Sequence, residues 1–232
     1  MSRGIKNMPY DQKDNIMAIE KYVALITGGS SGIGKAVAVK LEKKGCIVYE
    51  ISRHGTSKEN INPITADVTN EELVFSEVSK LIEKEGHINL LVNCAGFGIA
   101  GAIEFTELAD AKRQFDVNFF GMVNITKAVL PYMRKAGGGR IINISSIAAI
   151  AHIPFQAFYS ASKAAIDSYS CALANEVKPF GITVASIQPG DIHTGFTSSR
   201  KSSFCGDDTY NNRISNSIKK MECLLQKQLL TL

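Results

Sequence analysis

Short apolar runs alternate with helically spaced apolar stripes along most of this chain. Tyr22-Val23-Ala24-Leu25-Ile26 is an uninterrupted run of β-formers, the pattern of a strand buried on both faces. Lys35 to Lys44 then carries Ala36, Val37, Val39 and Leu41 at helical spacing. Gly45 breaks that pattern, and Cys46 to Ile51 predicts a second strand. Ile61 to Ala66 predicts a short third one, made edge-like or irregular by Pro63, which has no N–H to give a ladder. Thr69 or Asn70 can cap a helix from Glu71 to about Glu85, striped by Leu73, Val74, Val78, Leu81 and Ile82. Ile88 to Val92 reads as a fourth strand, about Leu108 to Arg134 as one long helix, and Arg140 to Ile144 as a fifth strand. A helix from about Phe158 to Val177 is stopped by Pro179 and Gly181, and Ile182 to Ile187 forms a sixth strand closed by Pro189-Gly190.

Strand and helix in strict alternation imply a parallel sheet covered on both faces, with right-handed crossovers. The expected fold class is α/β, a Rossmann-like doubly wound parallel sheet in a single domain over residues 21–232. Residues 1–20 show no period and read as a loose extension, in which Met17 is an alternative start. Asp207 to Cys223 can form a lid helix with Ile214, Ile218 and Met221 on one stripe. Residues 195–232 thus read as a lid segment and an atypical tail without a seventh strand, so that the sheet lacks its last strand.

Composition narrows the classes. At 232 residues the chain is long enough for a sizeable core, and 45% apolar with 21% charged residues is ordinary for a globular domain. The net charge of +4 is scattered in isolated pairs such as Lys43-Lys44 and Arg200-Lys201, so no nucleic-acid partner is expected. The 5 cysteines are odd in number with no Cys-x-x-Cys, which suggests neither a disulfide framework nor a metal site. No run is long and apolar enough for a bilayer, and no signal peptide is evident, so the expected protein is cytoplasmic and not membrane-bound.

Two local motifs carry chemistry. Thr27-Gly28-Gly29-Ser30-Ser31-Gly32-Ile33-Gly34 lies between the first strand and the first helix. Its glycines let the turn close and let backbone N–H groups approach a pyrophosphate at the helix N-terminus. Tyr159 and Lys163 stand four apart on a helix, so they share a face, and an ammonium near a phenol favours the phenolate. Each has a purely structural explanation, a tight βα turn or two side chains that merely neighbour each other. Together with Ser146 at the end of the fifth strand, the Asn93 turn and Pro189-Gly190, they place five segments on the carboxyl rim of the sheet, where doubly wound folds bind ligands.

In Thr27-Gly-x-x-x-Gly-x-Gly34, Asp67-Val68, Asn93-Cys94-Ala95-Gly96, Asn118, Ser146, Tyr159-x-x-x-Lys163 and Pro189-Gly190, the chain resembles the short-chain dehydrogenase/reductase superfamily over roughly residues 22–194. The resemblance implies an oxidoreductase that transfers a hydride between a nicotinamide cofactor and a carbonyl or secondary alcohol. Tyr159 would be the general acid in reduction and the base in reverse. Lys163 would lower its pKa and bind the nicotinamide ribose, Ser146 would hold the substrate oxygen, and Asn118 would order a water relaying protons to Lys163. Gly28, Ser30, Ser31, Gly32, Ile33 and Gly34 would cradle the cofactor. Asp67 and Val68 would flank the adenine, Asn93 would brace the central strands, and Ile187, Pro189 and Thr194 would line the nicotinamide side. It further implies a homodimer or homotetramer. Cys94 departs from the family's commoner Asn and reads as a small filler rather than a nucleophile.

An arginine after the second strand accommodates a 2′-phosphate where an acidic residue would select NAD. Ser52-Arg53 stands there, so NADP(H) is favoured over NAD(H), with Glu50 the rival, expected to point away from the Ser52 side if the strand stays regular. Phe97, Ile99, Ile147, His152, Ile153, Phe155, Ile192, His193 and Phe196 are offered by the loops around the site. Such an apolar lining suits a ketone or secondary alcohol with hydrophobic bulk, unless several of these residues only pack the loop onto the body. The loop is similar to that of 17β-hydroxysteroid- and retinol-type members. The alternative function is a non-catalytic nucleotide-binding or truncated protein without turnover.

Overall fold

The computed structural model describes residues 22–55, 60–190, 192 and 200–228. Strands β1 (Val23–Thr27), β2 (Ile47–Ser52), β3 (Ile61–Thr65), β4 (Leu90–Asn93), β6 (Gly139–Ile144) and β7 (Ile182–Ile187) form one sheet in the order β3-β2-β1-β4-β6-β7. Every pairing in it is parallel. The chain starts in the middle, winds outward to β3, returns past β1 and winds to β7. The point of reversal between β1 and β4 is where such sheets open a ligand crevice.

Period-two alternation divides the core. Ala24 and Ile26 of β1 pack with Val48, Leu90 and Val92 against Ala38, Val37 and Leu41 of helix α1 (Gly32–Glu42). Val23 and Leu25 face the other way, toward Val74 and Val78 of α2 (Glu71–Glu85), Ile125 and Val129 of α4 (Gly121–Lys135), and Leu173 and Val177 of α6 (Ala157–Val177). Helices cover both faces, and all five residues of β1 are buried.

The expected helix from Leu108 to Arg134 is interrupted. Helix α3 (Leu108–Phe115) passes into a π turn at Asp116–Phe120 before α4 resumes, with Asn118 inside the turn. A π turn inserts a residue into the helical repeat, so apolar spacing alone does not reveal it. The fourth strand runs Leu90–Asn93 rather than Ile88 to Val92, because its register partners are Ala24 to Thr27 of β1. Pro63 does sit on an edge strand, since among the described residues β3 pairs only with β2.

A satellite structure lies over the rim. Two-residue strands β5 (Ile99–Ala100) and β8 (Lys201–Ser202) pair in parallel, and the short helix α5 (Ala148–Ala151) precedes α6. Helix α7 (Arg213–Gln228) packs Ile214 and Ile218 on Ala100, Ala102, Phe105 and Phe155. This lid helix starts later than the expected Asp207, because Asp207 Oδ1 instead accepts the N–H groups of Ile214 and Ser215, both at 3.0 Å, and caps the helix from outside it. Among the described residues nothing pairs with the outer side of β7.

Candidate active site

The glycine turn is closed to the limit that sterics allow. Gly28 has φ +66°, and a Cβ on Gly34 would lie 2.4 Å from the Gly28 carbonyl oxygen. Thr27 Oγ1 accepts the N–H groups of Cys94 at 3.0 Å and Ala95 at 2.9 Å, tying the end of β1 to the turn after β4. The first turn of α1 holds no acidic side chain and Ser31 makes no side-chain cap, so nothing competes for the N–H groups aimed at the crevice. That cradle, which a single Cβ would fill, suits the pyrophosphate of a dinucleotide. Gly28, Ser31, Gly32, Ile33 and Gly34 form one wall of a continuous cavity; Cys94, Ala95, Gly96, Ser146, Tyr159, Lys163 and Pro189 form much of the rest.

The opposite wall is fixed by buried polar bonds. Asn93 Nδ2 donates to Asn143 Oδ1 at 2.8 Å and to Thr126 Oγ1 at 3.3 Å, while Asn143 Nδ2 donates to Ser170 Oγ at 2.8 Å. One polar chain therefore joins β4, β6, α4 and α6 through the apolar core, with Asn93 Oδ1 left buried and without a hydrogen-bond partner. Asn93 itself stays behind the wall; the turn that follows it supplies the lining. From its π turn Asn118 accepts the Phe97 N–H (2.9 Å) and donates to the Phe97 carbonyl (3.0 Å) and Ser162 Oγ (3.1 Å). Its side chain is spent on holding the Gly96-Phe97 backbone. A Cβ on Gly96 would meet Asn118 Oδ1 at 3.0 Å and Lys163 Nζ at 3.7 Å, so the three groups are close neighbours.

Tyr159 and Lys163 are 9% and 5% exposed. Lys163 Nζ donates to the Ile144 carbonyl at 2.8 Å and lies 5.8 Å from the centre of the Tyr159 ring. Burial pushes Lys163 down to about 8, partly opposed by Cys94 and Asp167. Burial also raises the Tyr159 phenol above its ordinary value; Ser146, hydrogen-bonded to it, and the charge of Arg200 pull the other way. The lowering of the phenol by Lys163 expected from the sequence is thus not what the structure displays: burial raises the phenol, the groups that oppose it are Ser146 and Arg200, and the ammonium is engaged by Ile144. Ser146 Oγ accepts the Ala148 N–H at 3.1 Å, which leaves its proton for the Tyr159 oxygen. Burial drives the Cys94 thiol up to about 12, consistent with a filler rather than a nucleophile.

Other expected site residues lie around this core rather than in it. Arg53 is exposed just beyond β2, whose end touches the glycine turn where Gly28 N–H meets Ile51 O at 2.9 Å. The strand is regular there, yet Glu50 does not point away from Ser52 as expected: strand side chains repeat every two residues, so the two share a face, and Ser52 Oγ donates to Glu50 Oε1 at 3.3 Å. Asp67 accepts from Thr69 and from Arg113 (2.9 Å); burial opposes its ionisation, but those bonds prevail and hold its carboxyl below the usual range. Val68 is buried against Gly121, and Ser30 is half-buried beside the turn without lining the cavity. Of the apolar loop residues, Ile99 and Phe155 pack into the satellite structure, Phe97 and Ile153 are half-buried, and Ile147, Ile192 and His152 are exposed. Residues 1–20, His193, Thr194 and Phe196 lie outside the described residues. Sequence reasoning missed Arg200 beside Tyr159 and Arg113 on Asp67; each is brought in across a long stretch of chain and had no local signal.

A family model described as short chain dehydrogenase matches residues 22–203. The chain belongs to the short-chain dehydrogenase/reductase family. A 3-ketodihydrosphingosine reductase of Bacteroides thetaiotaomicron is 50% identical over 185 residues, 78% of this chain and 68% of that protein. An uncharacterized oxidoreductase, YusZ of Bacillus subtilis, is 35% identical over 222 residues, 90% of this chain and 79% of its own length. Among solved structures, a short-chain dehydrogenase from Streptomyces avermitilis superposes with a TM-score of 0.74 at 29% identity, covering 88% of this chain and 82% of the other. Thermoplasma acidophilum aldohexose dehydrogenase, ligand-free, gives a TM-score of 0.74 at 28% identity, with 87% and 76% covered. As an oxidoreductase of this family the chain needs a nicotinamide dinucleotide, which its glycine cradle fits. Among the described residues no helix is long and apolar enough to cross a membrane, and no cluster of three or more His, Cys, Asp or Glu could hold a metal.

Proposed function

We propose that this short-chain dehydrogenase is an NADP(H)-dependent carbonyl reductase, acting on a ketone that carries substantial apolar bulk. The observation that carries the reading is the meeting of Ser146, Tyr159 and Lys163 in one cavity with the glycine turn. When bound, the nicotinamide supplies the hydride to the carbonyl carbon. Tyr159 Oη donates the proton to the carbonyl oxygen, and Ser146 Oγ gives that oxygen a second hydrogen bond. With its phenol raised by burial, Tyr159 is protonated near neutral pH, which suits an acid and hence the direction of reduction. Lys163 keeps a proton-bearing group beside the phenol, and Asn118 holds the Gly96-Phe97 backbone against both.

Gly28, Ser31, Gly32, Ile33 and Gly34 would hold the pyrophosphate, Arg53 the 2′-phosphate, and Pro189 with Thr194 the nicotinamide side. Asp67 and Val68 keep the adenine-side assignment, and Asn93 its bracing one. The apolar loop residues support a hydrophobic ketone, and so does the similarity to a protein named for reducing 3-ketodihydrosphingosine. A homodimer or homotetramer in the cytoplasm belongs to the same reading.

The test is fluorescence titration with NADPH and NADH, followed by a ketone panel on the same preparation. Tighter binding of NADPH, with turnover that Tyr159→Phe abolishes while binding survives, is the expected result. Binding without turnover of any ketone or alcohol would replace the reading with a non-catalytic nucleotide-binding protein.

A further inference from the structure

We infer that Asp167 is a positioning residue of this site, whose carboxylate clamps the outer strand of the sheet to the helix that carries Tyr159 and Lys163. Asp167 stands one turn beyond Lys163 on α6, so Tyr159, Lys163 and Asp167 follow one another along a single helix face. Its two oxygens are both used, and both on β7 or just beyond it: Oδ1 accepts from Ser186 Oγ at 2.5 Å and Oδ2 from Gln188 Nε2 at 2.6 Å. Ser186 and Gln188 are two apart, hence on the same side of the extended chain, and Ile187 between them points away and is 47% exposed.

The clamp acts where the sheet is weakest. Among the described residues β7 is held by β6 alone, with no strand outside it. Past Gln188 the chain forms a wall of the dinucleotide cavity at Pro189 and Gly190. The same stretch feeds back into the catalytic wall, since Ile187 O accepts the Ser145 N–H (2.8 Å) and Pro189 O the Ile147 N–H (2.9 Å), one on each side of Ser146. Ser145 Oγ in turn donates to the Lys163 carbonyl at 3.0 Å. A closed ring therefore runs from Lys163 along α6 to Asp167, across to Ser186 and Gln188, through the strand end to Ser145 and Ile147, and back to Lys163. Hydrogen bonds to a charged carboxylate are the strong ones in such a ring. The carboxylate also faces the ammonium of Lys163, whose other side is met by Cys94, while Tyr159 is met by Ser146 and Arg200; the groups β7 presents to Asp167 are the neutral Ser186 and Gln188.

The role of what is positioned rests on the proposed reading; the clamp itself is tested without turnover. Asp167→Ala and Asp167→Asn are compared by NMR amide exchange and by NADPH fluorescence titration across pH. In Asp167→Ala the amides of Ser145 and Ile147 exchange about tenfold faster and NADPH binds about tenfold more weakly, the loss expected for a charge-assisted hydrogen bond. The Val23 amide, held by Asn89 far from the clamp, stays protected. Asp167→Asn keeps an acceptor for Ser186 and lets Gln188 turn its amide, so both amides remain protected. Its missing charge moves the midpoint of the pH dependence of NADPH binding to lower pH, because the Lys163 ammonium loses a favourable neighbour. If Asp167→Ala does not fold, the double variant Ser186→Ala with Gln188→Ala removes the donors instead and must speed the same two amides. Undiminished protection of Ser145 and Ile147, or an unmoved midpoint in Asp167→Asn, overturns the assignment. Loss of protection in a protein that turns over no carbonyl would sink the reductase reading while leaving the clamp.

Discussion

The two halves of the site's rim are built from different materials. On the cofactor half, backbone and buried polar groups do the positioning: Gly34 admits no Cβ, Asn118 is 1% exposed, and Tyr159 and Lys163 are nearly as enclosed. In the loops that the proposed reading gives to the substrate, apolar side chains stand in solvent: Ile147 is 45% exposed and Ile192 47%. Helix α7 rests on a small cluster of its own rather than on the main core. A dinucleotide presents the same groups every time, so a rigid frame of N–H donors loses nothing by being inflexible. A varied apolar substrate is better met by side chains that can repack, at the low-stability end of the fold.

That contrast can be broken most sharply at the turn. Gly34→Val forces a side chain into the Gly28 carbonyl, and overpacking of about 3 kcal/mol should weaken NADPH binding roughly 100-fold in a titration. Lys163→Met probes the buried cation. Its folded pKa of about 8 lies below the ordinary lysine value of 10.5, so between those pH values the unfolded chain holds the extra proton and stability rises with pH. Below about pH 8 the penalty is present in full. The variant should therefore gain on the order of 2 kcal/mol in urea unfolding at pH 7, after allowing for the lost bond to Ile144, and that gain should fade by pH 10. A gain that stays constant with pH would show that packing, not charge, is responsible.

The lid half should respond differently. Ile218→Ala removes a side chain that is 3% exposed, but in the satellite cluster, where a loss of about 2 kcal/mol is felt as local opening. Faster proteolysis within α7 with an unchanged NADPH affinity is the expected pair of results; a matching fall in cofactor affinity would mean that the two halves are one cooperative unit. The smallest effect is reserved for Arg53→Ala. An exposed guanidinium on a phosphate should contribute about 1 kcal/mol, so the preference for NADPH over NADH should fall by roughly fivefold. No change would transfer cofactor selection to Ser52 or Glu50.

Where the sequence was legible, a local rule was at work. Short apolar runs and period 3.6 located six strands and their helices, and Pro63 marked the edge strand because it cannot feed a ladder. The π turn around Asn118 was invisible because it hides inside continuous helical spacing. The strands β5 and β8 were invisible because two residues carry no periodicity and pair across a hundred positions. Cap choice at α7 escaped for a related reason, since Asp207 caps from six residues upstream of Arg213 rather than from the adjacent position.

By itself the sequence determined where strands and helices alternate, the glycine turn, and the helical spacing that puts Tyr159 and Lys163 on one face, because each depends on neighbours within a few residues, whereas the order of the strands in the sheet came from the tertiary structure. Tertiary structure alone decided the protonation balance. Burial raises the Tyr159 phenol, and Ser146 and Arg200, which pull it the other way, reach it from segments outside its helix. Desolvation depends on everything packed around a group, and spacing along the chain carries no record of it.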